Sequence, residues 1–250
     1  GGGIYNSGGT LKLRDVHFVN NYIDSGTVIG GGGIYNDAAG TVDLVRCVFA
    51  DQNTIKSIGG GIANEGVMTI ESSRFEHNYG WGGGGAVDNR GVLHIRDSLV
   101  IRNLTHSEGG AISNSGELSL ERTAIIQNWA EGDGGGLTNR GEGNATILNT
   151  TFFGNGTHRF GGAIRTSGGI VSLDHVTLAG NTVDNDEYYL SGGIQNGTGP
   201  YVGTGSGVVR LRNSLIIGNY SNDCEVTAER NTCIADCFGS FESEGHNIIG

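Results

Sequence analysis

The sequence predicts an all-β fold, a single right-handed parallel β-helix of about eight coils, and three observations carry that prediction. The first is a phrase of glycines, an aliphatic residue, a variable residue and an amide: GGGIYN (1–6 and 31–36), GGGIAN (59–64), GGAVDN (84–89), GGAISN (109–114), GGGLTN (134–139), GGAIRT (161–166) and SGGIQN (191–196). Its copies start 30, 28, 25, 25, 25, 27 and 30 residues apart, a period that marks a solenoid. The second is a pair of apolar columns two residues apart, and the third is a pair of amide columns at fixed places in the repeat.

Taken in chain order, each repeat opens on its glycine phrase, which ends in the first amide column, Asn6, Asn36, Asn64, Asn89, Asn114, Asn139 and Asn196, with Thr166 in the seventh copy. Next come the apolar columns, Leu11, Val42, Met68, Leu93, Leu118, Ala145, Val171, Val209 and Leu13, Leu44, Ile70, Ile95, Leu120, Ile147, Leu173, Leu211. The column between them is mostly polar, from Lys12 and Asp43 through Thr69 and His94 to Arg210, and this alternation is that of a strand with one buried face. A small-residue column (Val16, Cys47, Ser73, Ser98, Thr123, Thr150, Val176, Ser214) and a large one (Phe18, Phe49, Phe75, Val100, Ile125, Phe152, Leu178, Ile216) follow, and both are expected to point inward. The second amide column, Asn21, Gln52, Asn78, Asn103, Asn128, Asn155, Asn181 and Asn219, closes a turn. Parallel stacking sets like residues about 4.8 Å apart along the axis, so the amides are expected to form buried ladders that satisfy one another and the bending backbone.

Glycine supplies 48 of 250 residues but is phased to the turns, and the one proline, Pro200, lies in the low-complexity segment 197–207, which reads as a loop. With 15 Lys plus Arg against 26 Asp plus Glu, a formal charge of −11 and no basic cluster, nucleic acid and anionic membrane surfaces are excluded as partners. The sequence holds no apolar run long enough for a membrane span and no signal peptide. Residue 1 falls inside a repeat phrase and residue 250 inside a partial coil, so residues 1–250 read as a segment of a longer β-helix.

Cys47 belongs to the inward small column and reads as a buried free thiol. The other cysteines lie in 220–240, which breaks the repeat and reads as an insertion; a Cys224–Cys233 disulfide is favoured there, with Cys237 left for a partner outside this sequence. That pairing points to an oxidising, extracytoplasmic setting.

The combination of GGA(I/L/V), at 84–87, 109–112 and 161–164, with FxxN, at 18–21, 75–78 and 152–155, resembles the passenger repeats of the chlamydial polymorphic outer membrane proteins. It is also similar to large bacterial surface proteins of the parallel β-helix class, where a phrase like DCFGSFESEGHNIIG (236–250) often precedes an anchoring region. The resemblance implies an exported, surface-displayed or secreted β-helix, with adhesion as the commonest role.

Parallel β-helices also carry polysaccharide lyases, hydrolases and epimerases, so the sites must decide. Elimination needs a base beside carboxylates or a metal, and hydrolysis needs converging carboxylates. Arg96 falls between Glu71 and Glu121, and Asp97 beside Arg122, which reads as a surface ion-pair ladder. Asp88 has only Ala63 and Ser113 as column neighbours. No catalytic residue is therefore assigned.

The variable loops after the second amide column carry aromatics, Tyr22, Tyr79, Trp81, Trp129, Phe160, Tyr188, Tyr189 and Tyr220, accompanied by Asp24, Glu108, Glu131, Asp133, Asp184, Asp186 and Glu187. Rings flanked by carboxylates suit stacking on sugar faces and bonding hydroxyls. Asp184, Asp186 and Glu187 are the candidates for calcium, which takes several oxygen ligands, although their spacing is neither an EF-hand nor a nonapeptide repeat. Six glycosylation sequons occur, at Asn103, Asn144, Asn149, Asn155, Asn196 and Asn219, and only Asn144 and Asn149 lie off the ladders. The resulting expectation is a non-enzymatic structural or adhesive surface solenoid that binds glycan or protein through its loops. A polysaccharide lyase or epimerase is the first alternative, and a filament subunit associating end to end is the second.

Overall fold

Each repeat closes one rung by laying down four short strands, one per face, and like strands from successive rungs form four sheets. The computed structural model describes residues 1–24, 30–184, 191–197, 207–221 and 236–250. Sheet A takes the glycine phrases, from Ile4–Asn6 through Ile194–Asn196, and gains a ninth strand from Cys237–Phe238. Sheet B holds the five-residue strands from Thr10–Arg14 through Val208–Arg212, and sheet C the strands from His17–Val19 through Leu215–Ile217. Sheet D contains eight strands, from Tyr22–Asp24 to Tyr220–Ser221. Pairing is parallel and residue for residue, as in Asn89↔Asn114 and Ile70↔Ile95.

Sheet D differs from expectation. The residues following the second amide column were read as loops, yet the first two or three of them extend as strand before the chain leaves the face. Their backbone groups pair along the axis with those of neighbouring rungs, as in Tyr79↔Leu104 and Leu104↔Trp129, which gives these donors and acceptors partners.

The inward columns make one continuous core. Val42, Met68, Leu93, Ile70, Ile95 and Ile147 are buried, with Phe49, Phe75 and Phe152 among the largest fully enclosed side chains. Phe18, Phe49 and Phe75 stack with centroids 4.6 and 4.7 Å apart, each fully buried ring contributing on the order of 2–3 kcal/mol of transfer free energy.

Both amide ladders are present. In the first, Asn6, Asn36, Asn64, Asn89 and Asn114 each donate from Nδ2 to Oδ1 of the next, at 2.7–2.8 Å. It stops at Asn139, because Thr166 has no amide and Asn139 turns to the Gly143 and Gly168 carbonyls. The second runs unbroken from Asn78 to Asn219 and ends on Asp236 Oδ1 at 2.6 Å. Gln52, longer by a methylene, instead donates to the Phe18 and Ala50 carbonyls. Asn103, Asn155 and Asn219 are buried in the second ladder and Asn196 is buried on the Gly207 and Ser240 carbonyls, so their sequons are closed to a glycan.

The small-residue column proves to be a hydroxyl ladder. Ser73, Ser98, Thr123, Thr150 and Ser214 each donate to a carbonyl two residues back, and Ser73, Ser98, Thr150 and Ser214 also accept an N–H from the preceding rung. This serves the corner between sheets B and C, where Asp15, Arg46, Ser72, Asp97, Arg122, Asn149, His175 and Asn213 all have φ near 50°. That left-handed conformation costs about 1–2 kcal/mol without glycine, and the hydroxyl ladder and rung-to-rung bonds such as Asp97 N–H to Glu121 O offset it.

Candidate functional site: an aromatic strip on sheet D and a roofed polar trough on sheet A

On sheet D the middle residue of each strand points inward, so the flanking residues form two outward columns. One runs Tyr22, Asn53, Tyr79, Leu104, Trp129, Gly156, Thr182, Tyr220. In the other, Trp81, His106, Glu131, His158 and Asp184 follow one another in adjoining rungs, each N–H bonded to the rung before. Tyr79 and Trp81 therefore share a rung, and Trp129 lies two rungs further, a span of about 10 Å.

Contacts lock these side chains. Trp81 stacks on the His106 imidazole with centroids 4.3 Å apart, and the other face of that rung is tied by His106 Nδ1 to Glu131 Oε2. Trp129 meets His158 edge-on at 4.9 Å, and His158 Nδ1 lies 3.2 Å from the Asp184 carbonyl. Gly156 makes room for the indole: a Cβ there would sit 2.4 Å from Trp129 Cζ3. Partial burial, with the nearby Glu131 charge, raises the Tyr79 phenol above its ordinary value. Trp81 keeps 40% of its surface exposed, so the strip presents aromatic faces beside a carboxylate and two imidazoles.

Other expected members lie elsewhere. Tyr22 is exposed but separated from Tyr79 by the Asn53 rung. Phe160 is not on the strip. Its ring covers the Arg165 guanidinium at 5.3 Å and faces Arg159 at 5.8 Å, because the electron-rich face attracts the cation. Glu108 likewise turns toward Arg140, in the turn that follows a sheet A strand, and Asp133 toward Arg165 on sheet A. Asp186, Glu187, Tyr188, Tyr189, Cys224 and Cys233 fall outside the described residues, which leaves Asp184 alone of the calcium candidates in view. Cys237 was left for an outside partner, but it occupies the inward column of sheet A beside Ile194, and burial pushes its thiol up to about 12. Among the described residues no three His, Cys, Asp or Glu side chains gather as a metal site.

Sequence reasoning missed a second site. The outward column of sheet A, which includes Tyr35, Ala63, Asp88, Ser113, Thr138, Arg165 and Gln195, is buried although it points away from the core. Residues of the turns on both sides fold over it. From one side come Glu65, Arg90 and Arg140, and from the other Gly83, Glu108, Asp133 and Phe160. Asp88, 1% exposed, receives Arg90 Nε at 3.0 Å and has an Arg140 nitrogen 3.6 Å away. Glu65 and Glu108 extend this charge chain at 3.8 Å on either flank. Gly83, at φ 151°, closes the roof: its Cβ would lie 3.0 Å from Asp88 Oδ2, so no other residue fits without a shift.

Burial dominates the electrostatics of the trough. Desolvation raises the Asp88 and Asp133 carboxyls above the usual carboxylate range despite the opposing arginines, and it lowers Arg165 below the ordinary guanidinium value. Asp88 Oδ2, Ser113 Oγ, Asp133 Oδ1, Arg140 Nε, Arg165 Nε and Gln195 Nε2 are buried without a hydrogen-bond partner. Ser113 sits near enough to favour ionised Asp88, yet outside hydrogen-bonding geometry. A signal was available in the sequence, Asn-Arg-Gly at 89–91 and 139–141 with Asn-Glu-Gly at 64–66, but it lies in the turn next to the column and not within it.

The exposed outward face of sheet B follows the expected ion-pair pattern except that Glu121, placed beside Arg96 by register, pairs with Arg122 instead. Arg96 pairs with Glu71 at 2.7 Å and Arg122 with Asp97 at 2.7 Å, while Glu121 is held by Arg122. The chain matches no protein-family model, no curated protein and no solved structure.

Proposed function

We propose that this protein is a non-enzymatic, extracellular β-helix with an adhesive role, and that it binds saccharide through the sheet D strip. The observation that carries the reading is the pre-set row of Tyr79, Trp81 and Trp129, held on a rigid sheet by His106, His158 and Gly156. Rings fixed before binding lose little conformational entropy when a flat sugar face stacks on them. The span suits two or three sugar units. Export is supported by the resemblance of the GGA(I/L/V) and FxxN phrases to surface-protein repeats.

A glycan array probed with wild type and with Trp129→Ala tests the reading. A few aromatics supply most of the affinity in such sites, so Trp129→Ala should abolish most of the signal while circular dichroism stays unchanged. Equal signals from the two proteins, or contacts mapped to the sheet B face from Thr69 to Thr146, would remove it.

The alternative of a polysaccharide lyase or epimerase draws on the trough, where a raised carboxyl lies between two arginines. Asp88 is enclosed beneath Gly83, however, and a substrate would have to lift that roof to reach it. Turnover of a uronate polymer by wild type, lost in Asp88→Asn, would establish the enzyme in place of the adhesin.

A further inference from the structure

The charges on sheet D narrow the ligand. The column beside the rings carries Glu131 at its centre, with Asp184 two rungs on, and its bases are the imidazoles His106 and His158. Arg140 and Arg165 are turned into the trough with Glu108 and Asp133, and Arg159, exposed next to His158, lies against the Phe160 ring. Glu131 is exposed and close enough to Tyr79 for its charge to act on the phenol, and one of its carboxylate oxygens is held by His106 Nδ1. We infer that the strip selects a saccharide bearing protonated amines, such as an oligomer of glucosamine, over its N-acetylated or uronic counterparts. This inference rests on the saccharide reading above.

The physical argument combines two attractions that a single ring of such a sugar satisfies together. Its axial hydrogens pack on an indole or phenol face. Its ammonium group lies within reach of the Glu131 carboxylate and of the electron-rich aromatic faces, which attract cations. An N-acetylated sugar keeps the first attraction and loses the second, and a uronate meets like charge on a chain whose net charge is −11. Because Glu131 is exposed, the added attraction is that of a surface ion pair and is screened by salt.

Isothermal titration with glucosamine tetramer, N-acetylglucosamine tetramer, galacturonate tetramer and an oligolysine peptide tests the inference, using wild type, Glu131→Gln and Trp129→Ala. The expected result is glucosamine tetramer binding about fivefold more tightly than its N-acetylated form at low salt. Glu131→Gln should erase that preference, and raising salt to 0.5 M, where the Debye length falls to about 4 Å, should do the same. Equal or tighter binding of the N-acetylated tetramer, lost in Trp129→Ala, overturns the selection for amines while the saccharide reading stands. No saccharide binding at all, or binding of oligolysine alone, overturns both.

Discussion

The outward columns of sheets A and B obey the same alternation, yet one is sealed and the other is open. On sheet B, Asp43, Thr69, His94 and Arg96 stand in or near solvent, and their charges pair between rungs as Glu71–Arg96. On sheet A, Asp88 and Arg165 occupy equivalent outward positions at 1% and 2% exposure, because side chains from the flanking turns close over them. The strands do not make this difference. Sheet B turns into sheet C through a single left-handed residue, whereas Arg90 and Arg140 from the turns on one side of sheet A, and Gly83 and Asp133 from the segments on its other side, reach back across it. Identical periodicity thus yields an ion-pair surface in one place and a desolvated polar site in the other.

The electrostatics follow the geometry. On the open face opposite charges meet in water, so Arg212 and Asn213 hold Asp174 down to about 2, and Arg46 and Arg122 hold Asp15 and Asp97 below the ordinary carboxylate range. In the trough desolvation outweighs the arginines, and Asp88 and Asp133 move the other way.

Four substitutions sharpen the contrast. The largest effect is expected from Arg165→Ala, which leaves Asp133 facing a void without its 3.6 Å partner and should cost about 3–5 kcal/mol. A loss under about 1 kcal/mol in urea melts would show the trough to be as forgiving as the open face. Asn114→Leu comes next. It removes one acceptor of the Asn89 Nδ2, which keeps the Gly91 and Glu117 carbonyls, and takes the ladder donor from Asn139 Oδ1, at about 1–3 kcal/mol, and an unchanged melting temperature would count against the ladder as a source of stability.

The third effect is defined by its sign. A carboxyl whose folded value is raised binds its proton more tightly in the native state, so its contribution to stability is greatest in acid and declines as pH rises from about 4 through the raised native value. Wild type should therefore lose stability relative to Asp88→Asn as pH climbs across that window. Melting curves that stay parallel from acid to neutral pH would contradict a desolvated Asp88. The smallest effect belongs to the open face, where Arg96→Gln should cost about 0–1 kcal/mol and fade further in salt. A cost as large as that of Arg165→Ala would erase the distinction between the two faces.

Much of this was legible in the chain. Val42, Leu44, Phe49 and their counterparts were assigned inward and are buried, and Asn89, Asn114 and Asn139 were assigned to a ladder and bond in one. The Glu71–Arg96 pair was also readable, since both residues lie in one column one rung apart. The small column was read by size, and its hydroxyl ladder escaped because the left-handed corner that it supports carries Asp, Arg, Ser, Asn and His in place of glycine. The strip was readable as a set of rings but not as an arrangement. Phe160 departs to Arg165 while His106, His158 and Gly156 join Trp81 and Trp129.

By itself the sequence determined the repeat, the inward columns and the register, because a solenoid brings residue i against its equivalent one period away and the column is the contact. Only the tertiary structure decided which outward columns meet water and which side chains from different columns converge. Asp88 meets Arg90 from its own turn, Arg140 from two rungs on and the Gly83 backbone from the opposite wall. Those encounters depend on the paths of segments whose lengths vary from rung to rung. No period encodes them, so the chemistry of the trough and the hold of His106 on Glu131 appear only once the chain is folded.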